Sequence, residues 1–250
     1  MLDEVTVQKL REMHLPAMSE QFKKQMQEPS FQSMSFSERF GLIVDIEWAQ
    51  RKNNRLARLI RKADLHSNDA CIENIEYHAD RELDKSLITH LAACGYIRDH
   101  RNIIILGATG AGKTYLACAF GMAALRNFYT VRYVRLPELL LEFQLARKDG
   151  TYRKVMNQLK HIDLLILDDW LLTQLDQSGV QDLLEIIEAR HHNASTIFSS
   201  QFPAQVWHKK IGEDSIADAI LDRIVYDSYT ILIKGTSSMR ERKGIATDTL

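Results

Sequence analysis

This 250-residue chain is poor in cysteine: Cys71, Cys94 and Cys118 stand far apart, and none belongs to a C-x-x-C pair. That excludes a disulfide framework and a cysteine-built zinc site, and it fits free or buried thiols in a reducing cytoplasm. No apolar run approaches the length needed to span a bilayer. Met1-Leu2-Asp3-Glu4 carries neither the basic nor the apolar region of a secretory leader. The histidines lack ligand-like spacing; His191-His192 reads instead as a helix C-terminal cap, where imidazoles suit the dipole. There is no repeat and no low-complexity tract. Net charge is also nearly absent, with 32 basic residues against 33 acidic ones, so no polyanionic partner is advertised overall. The charge comes in blocks. From Arg51 to Lys62 there are six basic residues and no acidic one, and from Asp163 to Ala189 seven acidic residues and no basic one. Any nucleic-acid contact must therefore come from local patches. With 45% hydrophobic residues the chain can build one sizeable α/β core and a smaller accessory region.

The stretch that organises the chain is Gly107-Ala108-Thr109-Gly110-Ala111-Gly112-Lys113-Thr114. It follows the apolar run Asn102 to Leu106, which reads as a buried parallel strand. After it, Tyr115 to Leu125 is rich in helix formers and apolar on most sides, so a buried helix is expected. The pattern G-x-x-x-x-G-K-T between a strand and a helix is the context of a phosphate-binding loop. Its glycines allow backbone angles at which consecutive N–H groups curl around phosphate oxygens, and the helix N-terminus adds its dipole. The nucleotide-binding set is Gly107 through Tyr115, with Lys113 for the β- and γ-phosphates and the Thr114 hydroxyl for Mg²⁺. About 54 residues on, Leu164-Leu165-Ile166-Leu167-Asp168-Asp169 is an apolar strand ending in paired acids. Asp168 suits Mg²⁺, and Asp169 suits orienting or activating the attacking water.

Around these motifs the chain alternates strand and helix. Strands are expected at 102–106, 130–134, 163–167, 195–199 and 229–233. Helices are expected at 83–93 (ended by Gly95), 136–146, 152–159, 178–190 and 214–227. Five short strands with intervening helices mean an α/β fold with a five-stranded parallel sheet. Residues 1–65 read as a separate all-helical region, 66–98 as a linker and lead-in helix laid against the core, and 99–250 as the nucleotide-binding core. In the helical region Met18, Phe22 and Met26 give an apolar face before Pro29. Ser35-Phe36-Ser37-Glu38 has the form of a capping box opening a long helix. Along it Phe36, Phe40, Val44 and Trp48 recur at i+4 and are expected in the core. Farther on, Arg51, Arg55, Arg58 and Lys62 share one face of a basic amphipathic helix, fit for nucleic acid, an acidic partner, a membrane surface or plain solvent. A second basic set, Arg147, Lys148, Arg153 and Lys154, flanks Gly150 against the single acid Asp149.

The pairing of Gly107–Thr114 with Leu164–Asp169 resembles an AAA+ ATPase. Glu76-Tyr77 through Arg81-Glu82-Leu83-Asp84-Lys85, Asp168-Asp169-Trp170, and Ser195-Thr196-Ile197-Phe198-Ser199-Ser200-Gln201-Phe202-Pro203 are similar to IstB-type proteins. These are the ATPases that help insertion-sequence transposases, related to DnaC helicase loaders and DnaA initiators. The resemblance covers nearly the whole chain and is looser in the first 35 residues. It implies ATP and Mg²⁺ as cofactors, a bacterial cytoplasmic homo-oligomer with ATP at subunit interfaces, assembly on duplex DNA with little sequence preference, and delivery of that DNA to a DDE-type transposase. It also implies roles for Gln201, ending a strand two along from that of Asp168, as a γ-phosphate sensor, and for Arg223 as an arginine finger toward the neighbouring subunit. Arg240, in Gly235-Thr236-Ser237-Ser238-Met239-Arg240, resembles an arginine that approaches the nucleotide in cis. The two basic sets are the implied DNA contacts. In two places the chain departs from the AAA+ pattern: Asp169 stands where Glu is usual, and Leu171 replaces a glycine often found after the Trp. A helicase loader is the nearest alternative; a nucleotide-gated scaffold and a small-molecule P-loop kinase are alternatives of other classes.

Overall fold

Asn102–Gly107 (β1), Val131–Arg135 (β2), Leu164–Asp168 (β3), Ser195–Ser200 (β4) and Ser228–Ile233 (β5) pair in parallel in the order β2-β3-β4-β1-β5. All residues of β3 and β4 are buried, which is what near-continuous apolar runs achieve when helices cover both faces of a parallel sheet. The computed structural model describes residues 2–212, 214–235, 238–239 and 242. It divides into two compact units, Met1–Arg58 and Leu59–Leu250.

The helices are Leu2–Glu12 (α1), Pro16–Gln27 (α2), Phe36–Ala63 (α3), Lys85–Ala92 (α4), Gly95–Arg98 (α5), Lys113–Arg126 (α6), Leu136–Lys148 (α7), Tyr152–Lys160 (α8), Gln177–Arg190 (α9), Ala204–Ile211 (α10) and Asp214–Val225 (α11). None of the described helices is long and apolar enough to cross a membrane. The sheet-bearing core gathers Ile104, Leu165, Leu167, Phe198, Trp170 and Trp207 with apolar residues of α7, α9, α10 and α11. Trp170 packs edge-on against both Phe198 and Trp207. The three cysteines are free, and Cys94 and Cys118 are buried. Burial pushes both thiols up to about 11, which leaves them protonated and inert at neutral pH.

Three local expectations need correction. The turn after α4 is made by Cys94 in the left-handed region, φ +62°, and Gly95 opens α5 instead of closing α4. α10 is an element the strand–helix alternation did not reveal, although its signals were present: Pro203 just before the start and Gly212 (φ +88°) just after the end. In the N-terminal unit, Phe36, Phe40, Val44 and Trp48 are exposed, not core. The buried row of α3 within that unit is Ile43 and Glu47, and the buried positions of α2 are Ser19 and Gln25, with Met26 exposed. The Ser35 capping box forms as expected: the Glu38 carboxylate accepts from the Ser35 amide, and the Ser35 hydroxyl accepts from the Glu38 amide.

Candidate functional site

The phosphate loop connects β1 to α6, and its glycines are held to their identity by contacts. A Cβ on Gly107 would lie 2.8 Å from the Ile233 carbonyl oxygen of the neighbouring β5. Gly112 caps α6 at φ +92°, a conformation L side chains resist. The opening of α6 therefore points its positive dipole end at the mouth of the loop, where an anion is favoured. Lys113 Nζ donates to the Ala108 carbonyl at 2.9 Å, across the loop.

Asp168, at the end of β3, is brought to this loop. It is 3% exposed, and its Oδ2 accepts from the Thr114 hydroxyl at 2.6 Å and from the Tyr133 hydroxyl at 2.9 Å. Burial, then the charge of Asp168 and that hydrogen bond, pushes the Tyr133 hydroxyl well above its ordinary range, so it stays a donor. Asp169 sits in the left-handed region at φ +52° and turns its carboxylate the other way, onto Arg135 at 2.8 Å. The hydrogen bond and charge of Asp169 raise the Arg135 pKa in return. Leu171 also adopts a left-handed conformation, φ +54°, where a glycine would be unstrained. Its fully buried side chain offsets a backbone cost of about 1–2 kcal/mol.

β4 lies directly beside β3 and between β3 and β1, so Gln201, just past its end, is one strand from Asp168 and not two. Its Oε1 accepts from the Thr109 hydroxyl of the loop at 2.8 Å. Arg223 is not brought to this site. It lies in the last turn of α11, which leads into the start of β5 at the opposite end of the sheet, and it bonds the Ala219 carbonyl and Glu188. Arg240 lies outside the described residues. Of the basic sets, Arg55, Arg58, Lys62, Lys148, Arg153 and Lys154 are exposed. Arg51 is engaged with Glu47 and the His14 carbonyl, and Arg147 with Asp182 and the Tyr152 ring.

The sequence reading missed Tyr133 and Arg135, although their i, i+2 spacing on a strand puts both on one face. It also left residues 66–83 without a function. They wall a cavity of about 310 Å³ beside the loop, lined by His66, Ser67, Ile75, Glu76 and Leu83 together with Tyr115 of α6. Arg81 joins this wall to the loop: it is 6% exposed and donates to the Glu76 carbonyl at 2.5 Å and to the Ala111 carbonyl at 2.9 Å. Burial, and then Arg242, lowers its pKa. Opposite, the Met239 amide donates to the Gly110 carbonyl at 2.9 Å, so Met239 meets the loop.

This arrangement has known counterparts. DnaA from Aquifex aeolicus bound to AMPPCP superposes with a TM-score of 0.58 at 22% identity, over 71% of this chain and 54% of that one. The DnaC helicase loader gives 0.56 at 17% identity, over 66% of this chain and 97% of that one. These likenesses establish the AAA+ P-loop fold. In sequence, the insertion sequence ATP-binding protein y4pL of Sinorhizobium fredii is 39% identical over 243 residues, covering 97% of this chain and 99% of that protein. The insertion sequence IS1162 ATP-binding protein of Pseudomonas fluorescens is 40% identical over 204 residues, 82% of this chain and 88% of that protein. The profile of the family described as "IstB-like ATP binding protein" matches residues 8–246, both halves of the nucleotide site included. With a glycine loop, a strand-end acid pair and a polar strand end arranged in this order, and with relatives matched over nearly their full length, the chain belongs to the IstB-like ATP-binding protein family.

Proposed function

We propose that this protein is an ATP-dependent, oligomerising AAA+ ATPase of an insertion sequence, which assembles on duplex target DNA and delivers it to a DDE-type transposase in the bacterial cytoplasm. The observation that carries the reading is the Thr114–Asp168 hydrogen bond, which joins the loop helix and the β3 acid into one site across 54 residues. Lys113 faces the β- and γ-phosphates, the cavity beside Tyr115 takes the base, and Gln201 senses the γ-phosphate from the adjacent strand end. A hydroxyl and a carboxylate are hard oxygen donors, the set that Mg²⁺ takes alongside nucleotide phosphates. Thr114 and Asp168 would hold that ion, and it would neutralise charge developing on the phosphates.

Asp169 is the water-orienting residue, and turnover requires its release from Arg135. Arg223 serves the neighbouring subunit's nucleotide. It stands at the far end of the sheet from its own loop, some five strand residues or roughly 17 Å away. ATP then binds the assembled state more tightly than the single subunit, which makes nucleotide state and assembly one equilibrium. Lys148, Arg153 and Lys154, with Arg55, Arg58 and Lys62 of the N-terminal region (1–65), supply phosphate contacts that give affinity without base readout. The lead-in (66–98) and ATPase core (99–250) carry the nucleotide chemistry. Arg240 is proposed to approach the nucleotide in cis.

The test pairs two variants with and without duplex DNA. Lys113→Ala loses ATP affinity while its melting temperature is kept, because Lys113 touches the loop and not the core. Asp169→Asn retains ATP but loses hydrolysis, by roughly 10²-fold or more. Unchanged ATP affinity in the first variant rejects the loop assignment, and near-normal turnover in the second removes Asp169 from the chemistry.

A further inference from the structure

At the opposite end of the sheet from the phosphate loop, three side chains from two segments converge. His191 and His192 follow α9, and Asp227 lies in the turn between α11 and β5. His191 Nδ1 is 3.7 Å and His192 Nδ1 3.5 Å from Asp227 Oδ2, and all three donor atoms lie within 4.8 Å of one another. His191 Nδ1 is buried without a hydrogen-bond partner, an unfavourable state for a polar nitrogen. His191 does cap α9, its amide donating to the Ile187 carbonyl, but the imidazole pair has a further partner. The pair faces a carboxylate from a strand turn, a juxtaposition no sequence spacing reveals.

We infer that His191, His192 and Asp227 form a site for a divalent transition ion of the Zn²⁺, Co²⁺ or Ni²⁺ class. Two imidazoles and one carboxylate are the donor set these ions prefer, whereas Mg²⁺ and Ca²⁺ take oxygen alone. In a tetrahedral site with bonds of about 2.0–2.1 Å the donors stand roughly 3.4 Å apart. The two histidine–aspartate separations are already within a few tenths of an ångström of that. The two histidine donors, within 4.8 Å of each other, are brought onto a common ion by rotation of His192, whose side chain is 70% exposed.

The surroundings suit a ligand set held in place. Arg101 pairs with the other oxygen of Asp227, leaving Oδ2 to the histidines. The Asp227 carbonyl accepts from the Asn102 amide at 2.8 Å, which anchors the turn to β1. Arg223 lies near His191, and its charge is balanced by Glu188. Such outer partners fix the orientation of metal ligands. The fourth position opens to solvent beside His192 and would carry water. Occupation pins the corner where α9, α11 and β5 meet, on which Arg223 stands.

The experiment is a Co²⁺ titration of the tag-free full chain, followed by visible absorption and competed with Zn²⁺. Excess Mg²⁺ and ATP are present so that the Thr114–Asp168 site is not counted. The wild type gives a saturable one-to-one spectrum that Zn²⁺ displaces. His192→Ala, a change at an exposed side chain, weakens Co²⁺ binding by more than about tenfold, the lower bound known even for outer partners of metal sites. Zn²⁺ raises the melting temperature of the wild type and not of this variant. Absence of a saturable spectrum in the wild type, or an unaltered midpoint in His192→Ala, overturns the site.

Discussion

In the sheet-bearing unit Arg190 is 2% exposed and donates to Thr196 Oγ1 and to the carbonyls of Leu159, Ile162 and Ser195. In the N-terminal unit Glu47 is 6% exposed and accepts from the amides of Ala17 and Met18 and from Arg51. Both are buried ions satisfied by bonds, but their settings differ. Arg190 is embedded beside a large apolar core, and burial lowers its pKa to about 10. Glu47 belongs to a unit whose described buried residues are Val7, Ser19, Gln25, Ile43 and Glu47, three of them polar. A unit of 58 residues encloses little apolar volume, so polar side chains bonded to backbone do part of the packing. Its largest apolar row stays outside, with Phe36 73% and Trp48 59% exposed. The lesson is that burial follows the partners an element finds and not the hydrophobicity of its face alone.

This contrast can be broken by substitution. The largest effect is expected for Arg190→Met, which strips the donors from three carbonyls and a hydroxyl at once. A loss of about 3–5 kcal/mol in urea unfolding is expected, the scale for removing one side of a buried charged network. A loss below about 1 kcal/mol would mean that water replaces the guanidinium and that the site is not sealed.

Glu47→Gln comes next, at about 1–2 kcal/mol, since Glu47 caps the N-terminus of α2, which has no side-chain cap of its own. The pH dependence sharpens the test. Burial pushes the Glu47 pKa up, but Arg51 and the Met18 and Ala17 amides together outweigh it, so the folded pKa lies below the ordinary 4.5. A group depressed on folding stabilises above its unfolded pKa, and that contribution fades as pH falls from 4.5 through the folded value. Melting temperatures of the wild type and Glu47→Gln should converge across this acidic window. Parallel curves would remove Glu47 from the linkage.

The smallest effect belongs to Phe36→Ser, within about 0.5 kcal/mol, as for surface sites generally. Should this variant lose more than about 2 kcal/mol, the Phe36 row is buried after all and the contrast between the units fails.

The loop Gly107–Thr114 was legible because all its chemistry lies in one contiguous segment, where glycine conformations and an opening helix leave a local mark. Asp168 was legible because an apolar strand that ends in acids has one sensible place in a parallel sheet. The five strands were legible for the same reason, as runs too apolar to be anything but buried. Which strands are neighbours was not, and so Gln201 was set one strand too far from Asp168.

The sequence by itself therefore determined the parallel α/β class, the phosphate loop and the strand-end acids. Tertiary structure alone decided the partners of those groups. Arg135 meets Asp169 across 34 residues and Tyr133 meets Asp168 across 35. Arg81 ties the wall of the cavity beside Tyr115 to the loop across 30, and Phe36 and Trp48 remain outside. Local propensity and periodicity are written into neighbouring residues, whereas a long-range contact depends on register and strand order. Those are set by the packing of the whole sheet, which no single segment carries.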